Sequence, residues 1–238
     1  MNDTSNQIIA LGGGGFGSEP DNPALDLFIL EQARVPTPRI CFIPTARGDD
    51  STYLERFHTA FSRYDCDRSH LLFFDRTPDL RSTILNQQVI FVGGGNTKSM
   101  LAVWKDWGMI ELLREAWESG IVLSGVSAGA ICWFDQGLTD SFAKDLAVLD
   151  CMGFLEGSCT PHYDGEAERR PSYHRLMGEG AVVAGIALDD GVAAHFVGGQ
   201  LSQVVTSRPN AKAYSVSFKD EEIVETPIPV RYLNSSSP

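Results

Sequence analysis

Residues 125–130 read GVSAGA and set Ser127 between Gly125 and Gly129, directly after the apolar run IVLSGV at 121–126. G-x-S-x-G between a strand and a helix is the spacing of a nucleophile elbow, a sharp turn that lifts a hydroxyl clear of the backbone. The turn is strained, and residues two before and two after it must be small. Gly125 and Gly129 meet that demand, while Ala128 and Ala130 let the following helix lie close. The N-terminus of that helix aims backbone N–H groups at an oxyanion forming beside the serine.

A serine nucleophile needs a base within hydrogen-bond reach and an acid to orient the base. Five histidines are available. His58 and His174 fall within helical patterns, His70 opens a strand, and His195 alternates in VAAHFV, so each has an ordinary structural role. His162 stands apart in CTPHYDGEAERR, on a Pro-flanked loop of the kind that carries function. For the acid, IALDDG places Asp189 and Asp190 at the end of an apolar run, at the rim where a parallel sheet holds its active site. Asp140 in GLTDS is a further candidate.

A second glycine-rich stretch, IIALGGGGFG at 8–17, spaces Gly12, Gly14 and Gly17 as a dinucleotide fingerprint does. That motif also needs a helix opening within the loop and an acid closing the second strand. Here the helix signal comes later, with Asn22 as N-cap and Pro23 in the first turn, and RICFIPTA ends on Pro44 and Thr45. The loop is therefore expected to be a tight turn edging another site. A nucleotide-binding module without catalysis is the rival from outside the enzymes.

These residues must be carried by a scaffold, and the chain's pattern supplies one. Strand-like runs alternate with helical patterns through the first half, the signature of βαβ units and a parallel sheet. STYLERFHTAFSRY puts Leu54, Phe57, Phe61 and Tyr64 on one helical face, with Thr52 and Glu55 spaced as a capping box. Two further helices carry Met100, Val103, Trp104 and Trp107, then Ile110, Leu113 and Trp117, and the tryptophans are expected in the core. Beyond Asp190 short alternating runs predict a β-rich C-terminal meander extending or flanking the sheet, and the tail NSSSP is expected to be loose. No linker composition divides the 238 residues, so a single α/β domain over 1–238 is expected.

A net charge of −12 with no basic stripe argues against a nucleic-acid partner. No apolar run reaches membrane-span length, and MNDTSNQ lacks the features of a secretory signal. The five cysteines, Cys41, Cys66, Cys132, Cys151 and Cys159, show neither C-x-x-C spacing nor a nearby His pair and read as reduced thiols in a cytoplasmic protein. Neither a metal nor an organic cofactor is implied, and the composition leaves a homodimer open.

FVGGGNT, GVSAGA, PHYDGEAERR and ALDDG, in this order, resemble the aspartyl dipeptidase (peptidase E) and cyanophycinase family of serine peptidases. The resemblance spans nearly the whole chain. It implies the fold of class I glutamine amidotransferases, a three-layer αβα sandwich with a mostly parallel sheet. It implies Ser127 as nucleophile, His162 as base and Asp190 as orienting acid, with the Gly94 or Gly95 and Ala128 amides as the oxyanion hole. Enteric members carry Glu where this chain offers Asp, a departure that leaves Asp189 and Asp140 as alternatives. Arg169 or Arg170 would hold the acidic side chain of the substrate, unless Glu166 and Glu168 engage them first. The implied activity is hydrolysis of dipeptides or short peptides with an N-terminal Asp; the nearest enzymatic alternative is cyanophycinase-like cleavage of a β-Asp-Arg polymer. Glutaminases carry Cys at the elbow, where this chain has Ser127, and Cys132 lies five residues further on.

Overall fold

The computed structural model describes residues 6–142 and 145–233. The tail Asn234–Pro238, expected to be loose, lies outside the described residues. The first half alternates strand and helix: β1 (Gln7–Leu11), α1 (Ala24–Glu31), β2 (Arg39–Ile43), α2 (Ser51–Phe61), β3 (Asp67–His70), α3 (Leu80–Leu85) and β4 (Val89–Val92). It continues through α4 (Thr97–Asp106), α5 (Met109–Glu118), β5 (Val122–Val126) and the one-turn α6 (Ala128–Ile131). The second half is mostly strand: β6 (Phe134–Thr139), β7 (Ala147–Asp150), β8 (Leu155–Thr160), then α7 (Arg169–Gly178) and β9 (Gly185–Leu188). The last strands are β10 (Val192–Val197), β11 (Gln200–Thr206), β12 (Ala213–Lys219), β13 (Glu222–Ile228) and β14 (Val230–Tyr232).

The expected α/β architecture holds, with one enlargement: the strands form two sheets. The larger has the order β14-β11-β10-β1-β5-β4-β2-β3, and β1, β5, β4, β2 and β3 run parallel at its heart. The smaller has the order β13-β12-β9-β8-β6-β7, parallel through β6, β8 and β9. The expected meander is thus divided. Strands β10, β11 and β14 extend the first sheet, whereas β12 and β13 build out the second.

Alternation along the central strands explains the layers. Ile9, Leu11, Ile40, Phe42, Val89 and Phe91 face one side, where α1 and α2 contribute Leu25, Phe28, Phe57 and Phe61. Ile8, Ala10, Cys41, Ile43, Ile90 and Val92 face the other, with Trp104, Leu113 and the second sheet's Leu155, Cys159 and Ile186. Because both faces are covered, the strands read as unbroken apolar runs rather than alternating ones. A third cluster packs Tyr173 and Met177 of α7 on the far face of the second sheet, against Leu138, Ala187 and Val216.

Local details differ from expectation where a nearer group competes. The α2 cap is the Asp50 carboxylate, which accepts from the Tyr53 amide at 2.7 Å, so the Thr52–Glu55 box is not used. Asn22 accepts from the Ala24 amide at 3.3 Å, where α1 begins. Trp104 and Trp117 are buried, but Trp107, past the end of α4, is 48% exposed. No helix among the described residues is long and apolar enough to cross a membrane.

The first glycine loop is pinned by Phe16, whose ring meets those of Phe42, Tyr53, Phe57, Phe61 and Phe91. Beneath it lies a buried carboxyl, Asp26, which accepts from the Phe16 amide at 3.2 Å. Burial, with Glu19 nearby, pushes Asp26 up to about 7 from its ordinary 3.8. A carboxyl raised by folding keeps its proton while the unfolded chain loses one, so its contribution to stability falls as pH climbs from about 4 to about 7. Asp26→Asn keeps an acceptor for the Phe16 amide and removes the titration. In denaturant melts, the variant should match wild type near pH 4 and exceed it by up to roughly 4 kcal/mol at pH 8. An equal offset at both values would refute the buried-acid account.

Candidate active site

Strand β5 runs between β1 and β4 and delivers Ser127 at its carboxyl end. Ser127 takes φ 56° and ψ −110°, a region a side chain occupies only when its surroundings force it. Those surroundings are close-packed backbone. A Cβ on Gly125 would overlap the Gly129 and Val92 carbonyls, and one on Gly129 would overlap Val92. The two glycines of the elbow therefore let α6 settle against β4 and β5. The Ser127 amide is held by the Leu11 carbonyl at 3.1 Å, which ties the turn to β1.

His162 follows β8 and Asp190 follows β9, both on the second sheet. His162 Nε2 lies 2.9 Å from Ser127 Oγ, and its Nδ1 lies 2.6 Å from Asp190 Oδ1. A carboxylate only accepts, so Nδ1 carries the proton and Nε2 is left to accept from the serine hydroxyl. His162 also has positive φ, 53°, and donates its amide to Gly12 O at 3.1 Å. The hydrogen bond from His162 holds the Asp190 carboxyl below the ordinary carboxylate range, against the cost of burial. The Asp190 amide donates to Asp164 at 2.8 Å, and Arg208, paired to Glu19 at 2.5 Å, brings Nη1 within 4.0 Å of Asp190 Oδ2.

The other candidate acids are elsewhere. Asp189 accepts from the Lys212 amide at 2.8 Å, and burial pushes it up to about 6. Asp140 is exposed just past β6. The remaining histidines are engaged structurally: His58 with His70 at 3.0 Å, His174 with Glu225 at 2.7 Å, and buried His195 with Gln7 at 2.9 Å. Cys132 is fully buried within a turn of α6, and burial drives its thiol well above the ordinary range, which leaves it inert.

A cleft of about 140 Å³ opens over Ser127, lined by Gly13, Gly14, Gly17, Ser18, Arg47, Tyr53, Arg56, Gly94, Gly95, Val126 and His162. The first glycine loop thus edges this cleft, and a Cβ on Gly13 would strike Asp190. The GGGN turn contributes Gly94 and Gly95, and Asn96 caps α4 by accepting from the Ser99 amide at 2.8 Å. The Gly94 amide donates to the Tyr53 hydroxyl at 3.3 Å. Among the described residues, neither the Gly95 nor the Ala128 amide donates to another backbone carbonyl.

Arg169 and Arg170 are not in the cleft lining. Arg169 is buried, bridging Glu166 at 2.5 Å and the Leu138 carbonyl at 2.9 Å. Arg170 pairs with Glu225 and lies over the Tyr163 and Tyr214 rings. Both guanidiniums are spent on fastening α7 to its neighbours, and the cations at the cleft are Arg47 and Arg56.

The chain matches the model of peptidase family S51 over residues 8–204. The chain belongs to peptidase family S51. It is 54% identical over 228 residues to an uncharacterized peptidase of Bacillus subtilis (strain 168), YgaJ, a match covering 95% of this chain and 99% of that protein. The fold of this S51 chain is shared by a peptidase from an acI-B1 Actinobacterium, with TM-score 0.73, 16% identity and 95% of each chain covered. It is also shared by a putative peptidase E protein of Listeria monocytogenes EGD-e, with TM-score 0.61, 20% identity, and 86% and 98% covered. This S51 chain is a serine-type peptidase.

The elbow packing gives a direct test. Gly129→Ala should cost about 1–3 kcal/mol in urea melts, because its methyl would collide with the Val92 carbonyl and Cβ, neither of which is the free end of a flexible side chain. Gly178→Ala on α7, where an added Cβ meets open space, should be neutral or gain up to about 1 kcal/mol.

Proposed function

We propose that this chain hydrolyses short peptides, foremost dipeptides with an N-terminal Asp, through Ser127, His162 and Asp190. Ser127 Oγ attacks the scissile carbonyl while His162 Nε2 takes its proton, and Asp190 holds the imidazole by its Nδ1–H. The oxyanion is received by the Ala128 amide together with that of Gly95 or Gly94; Gly95 is favoured, because the Gly94 amide already donates to Tyr53. His162 then gives the proton to the departing amine, and a water deprotonated by the same nitrogen cleaves the acyl-enzyme.

The observation that carries this reading is the chain of hydrogen bonds from Ser127 through His162 to Asp190, at 2.9 and 2.6 Å, anchored on a backbone turn forced to positive φ. The small cleft supports a short substrate, since sites for drug-sized ligands run to about 300–1,000 Å³. All five cysteines are unpaired, which suits a reducing cytoplasm.

Ser127→Ala should lower peptide turnover by about 10⁴-fold or more at unchanged melting temperature, and a serine-directed fluorophosphonate should label wild type at Ser127 alone. A variant keeping a tenth of the turnover would end the serine mechanism. Asp190→Asn should cost roughly 10⁴-fold through the wrong imidazole tautomer, whereas Asp189→Asn should be mild. The opposite ranking, read from kcat, would transfer the role to Asp189.

A further inference from the structure

Two guanidiniums line the Ser127 cleft, and no described residue forms an ion pair with either. Arg47 closes the short turn after β2 and Arg56 stands on the outer face of α2; both are exposed. Among the described residues neither forms an ion pair. Arg81, Arg169, Arg170, Arg175 and Arg208 are each paired to a carboxylate, whereas Arg39, Arg63, Arg68, Arg76, Arg114 and Arg231 likewise form no ion pair among the described residues; what sets Arg47 and Arg56 apart is their place on the cleft, in a chain with 31 acidic side chains to 19 Lys and Arg. Two unpaired cations are thus turned to one cleft of an otherwise strongly anionic molecule.

Tyr53 organises them. Its ring lies between β2 and α2, and Arg47 sits over it with the guanidinium carbon 4.8 Å from the centroid. That contact holds the group by its face, and its edge N–H donors stay available for a planar acceptor. Arg56 lies one turn further along α2 from Tyr53, near enough to reach the same cleft from the exposed edge of the helix. The Tyr53 hydroxyl touches the Gly94 amide, so one aromatic residue spans the distance from the cations to the backbone facing Ser127. Arg56 and Gly17 also border a larger hollow of about 510 Å³, lined further by Phe16, Pro20, Glu55, Thr59, Ala60 and Arg63, so Arg56 stands where the two spaces meet; Glu55, on the hollow and not on the cleft, forms no ion pair with it.

We infer that Arg47 and Arg56 form a carboxylate receptor that sets the selectivity of the Ser127 cleft. The inference rests on the peptidase reading for the identity of the substrate, though not for the existence of the receptor. The carboxylate has two sources in a short peptide, an acidic side chain and the C-terminal α-carboxylate, and the substrates below separate them. The task once expected of Arg169 and Arg170 passes to residues over a hundred positions earlier in the chain.

The first experiment measures binding without catalysis. Calorimetry of intact wild type with succinate and with succinamide should show the dianion bound and the neutral diamide not, with affinity falling as salt is raised. Arg56→Gln, an exposed change, and the Arg47→Gln/Arg56→Gln pair should each weaken succinate by about tenfold or more, while Arg170→Gln should leave it unaltered. Equal succinate binding by wild type and the folded double variant, or loss in Arg170→Gln instead, overturns the receptor. The second compares kcat/KM for Asp-Leu, Asn-Leu and their C-terminal amides. If the side chain is read, the Asp-to-Asn ratio collapses in the Arg variants; if the terminus is read, the acid-to-amide ratio does. Should wild type bind succinate through these arginines yet cleave none of the four, the peptidase reading falls and the receptor stands. Cleavage with both ratios unchanged in the variants leaves that reading and removes the receptor.

Discussion

Everything in the site depends on one costly backbone turn. A serine at φ 56° stores of order 1–3 kcal/mol of strain, and the fold holds it by trapping its two flanks. Before it, β5 is locked between parallel neighbours in a sheet buried on both faces; after it, α6 is wedged against Val92 with no space for a side chain. Relaxation of the turn would require the central strands to part. The helix N-terminus, the position of the hydroxyl and the mouth of the cleft all follow from that trapped geometry.

The charges around this core fall into two classes. Behind the cleft they are consumed: Glu225 gathers Tyr163, Arg170 and His174, and Glu19 ties the first glycine loop to Arg208 beside Asp190. Tyr163 adjoins His162 in the chain, so the Glu225 cluster also fixes the loop that carries the imidazole. At the cleft Arg47 and Arg56 form no ion pair among the described residues. The same residue type thus serves as a fastener on α7 and as an open donor on α2, and the difference is set by whether a carboxylate of the protein stands within reach.

Much of the fold and the site was legible where the signal is local. The elbow spacing records steric facts about five consecutive residues, and His162 and Asp190 stand at strand ends followed by loop-forming neighbours. The α/β alternation showed because helices and buried strands differ in period. What the sequence concealed is long-range. The division into two sheets depends on which short strands find each other, and β7 to β9 have only four to six residues in which to declare a partner. Arg169 follows His162 closely in the chain, yet its guanidinium is drawn inward by Leu138 O, a group 31 positions away. Tyr53, Arg47 and Arg56 carry no motif, since only the approach of α2 to the glycine turns brings them to Ser127. Buried Asp26 is likewise silent in sequence, where ALDLFIL reads as an apolar helix with one acid in its first turn.

The hydroxyl and the imidazole that meet at 2.9 Å come from different sheets, one at the end of β5 and the other after β8. Between the sheets runs an apolar seam of side chains such as Cys159, Ile186 and Leu188, with no disulfide across it among the described residues. In the proposed mechanism, displacement of one layer by a single ångström would part Ser127 from His162, and misplacement on that scale costs about a hundredfold in rate. On that mechanism, a molecule that has begun to loosen would stop cutting well before its strands come apart. The hydrophobic seam would then act as an interlock: hydrolytic power would belong only to copies whose layers are fully seated, and damaged copies would be disarmed by the same slippage that marks them as damaged.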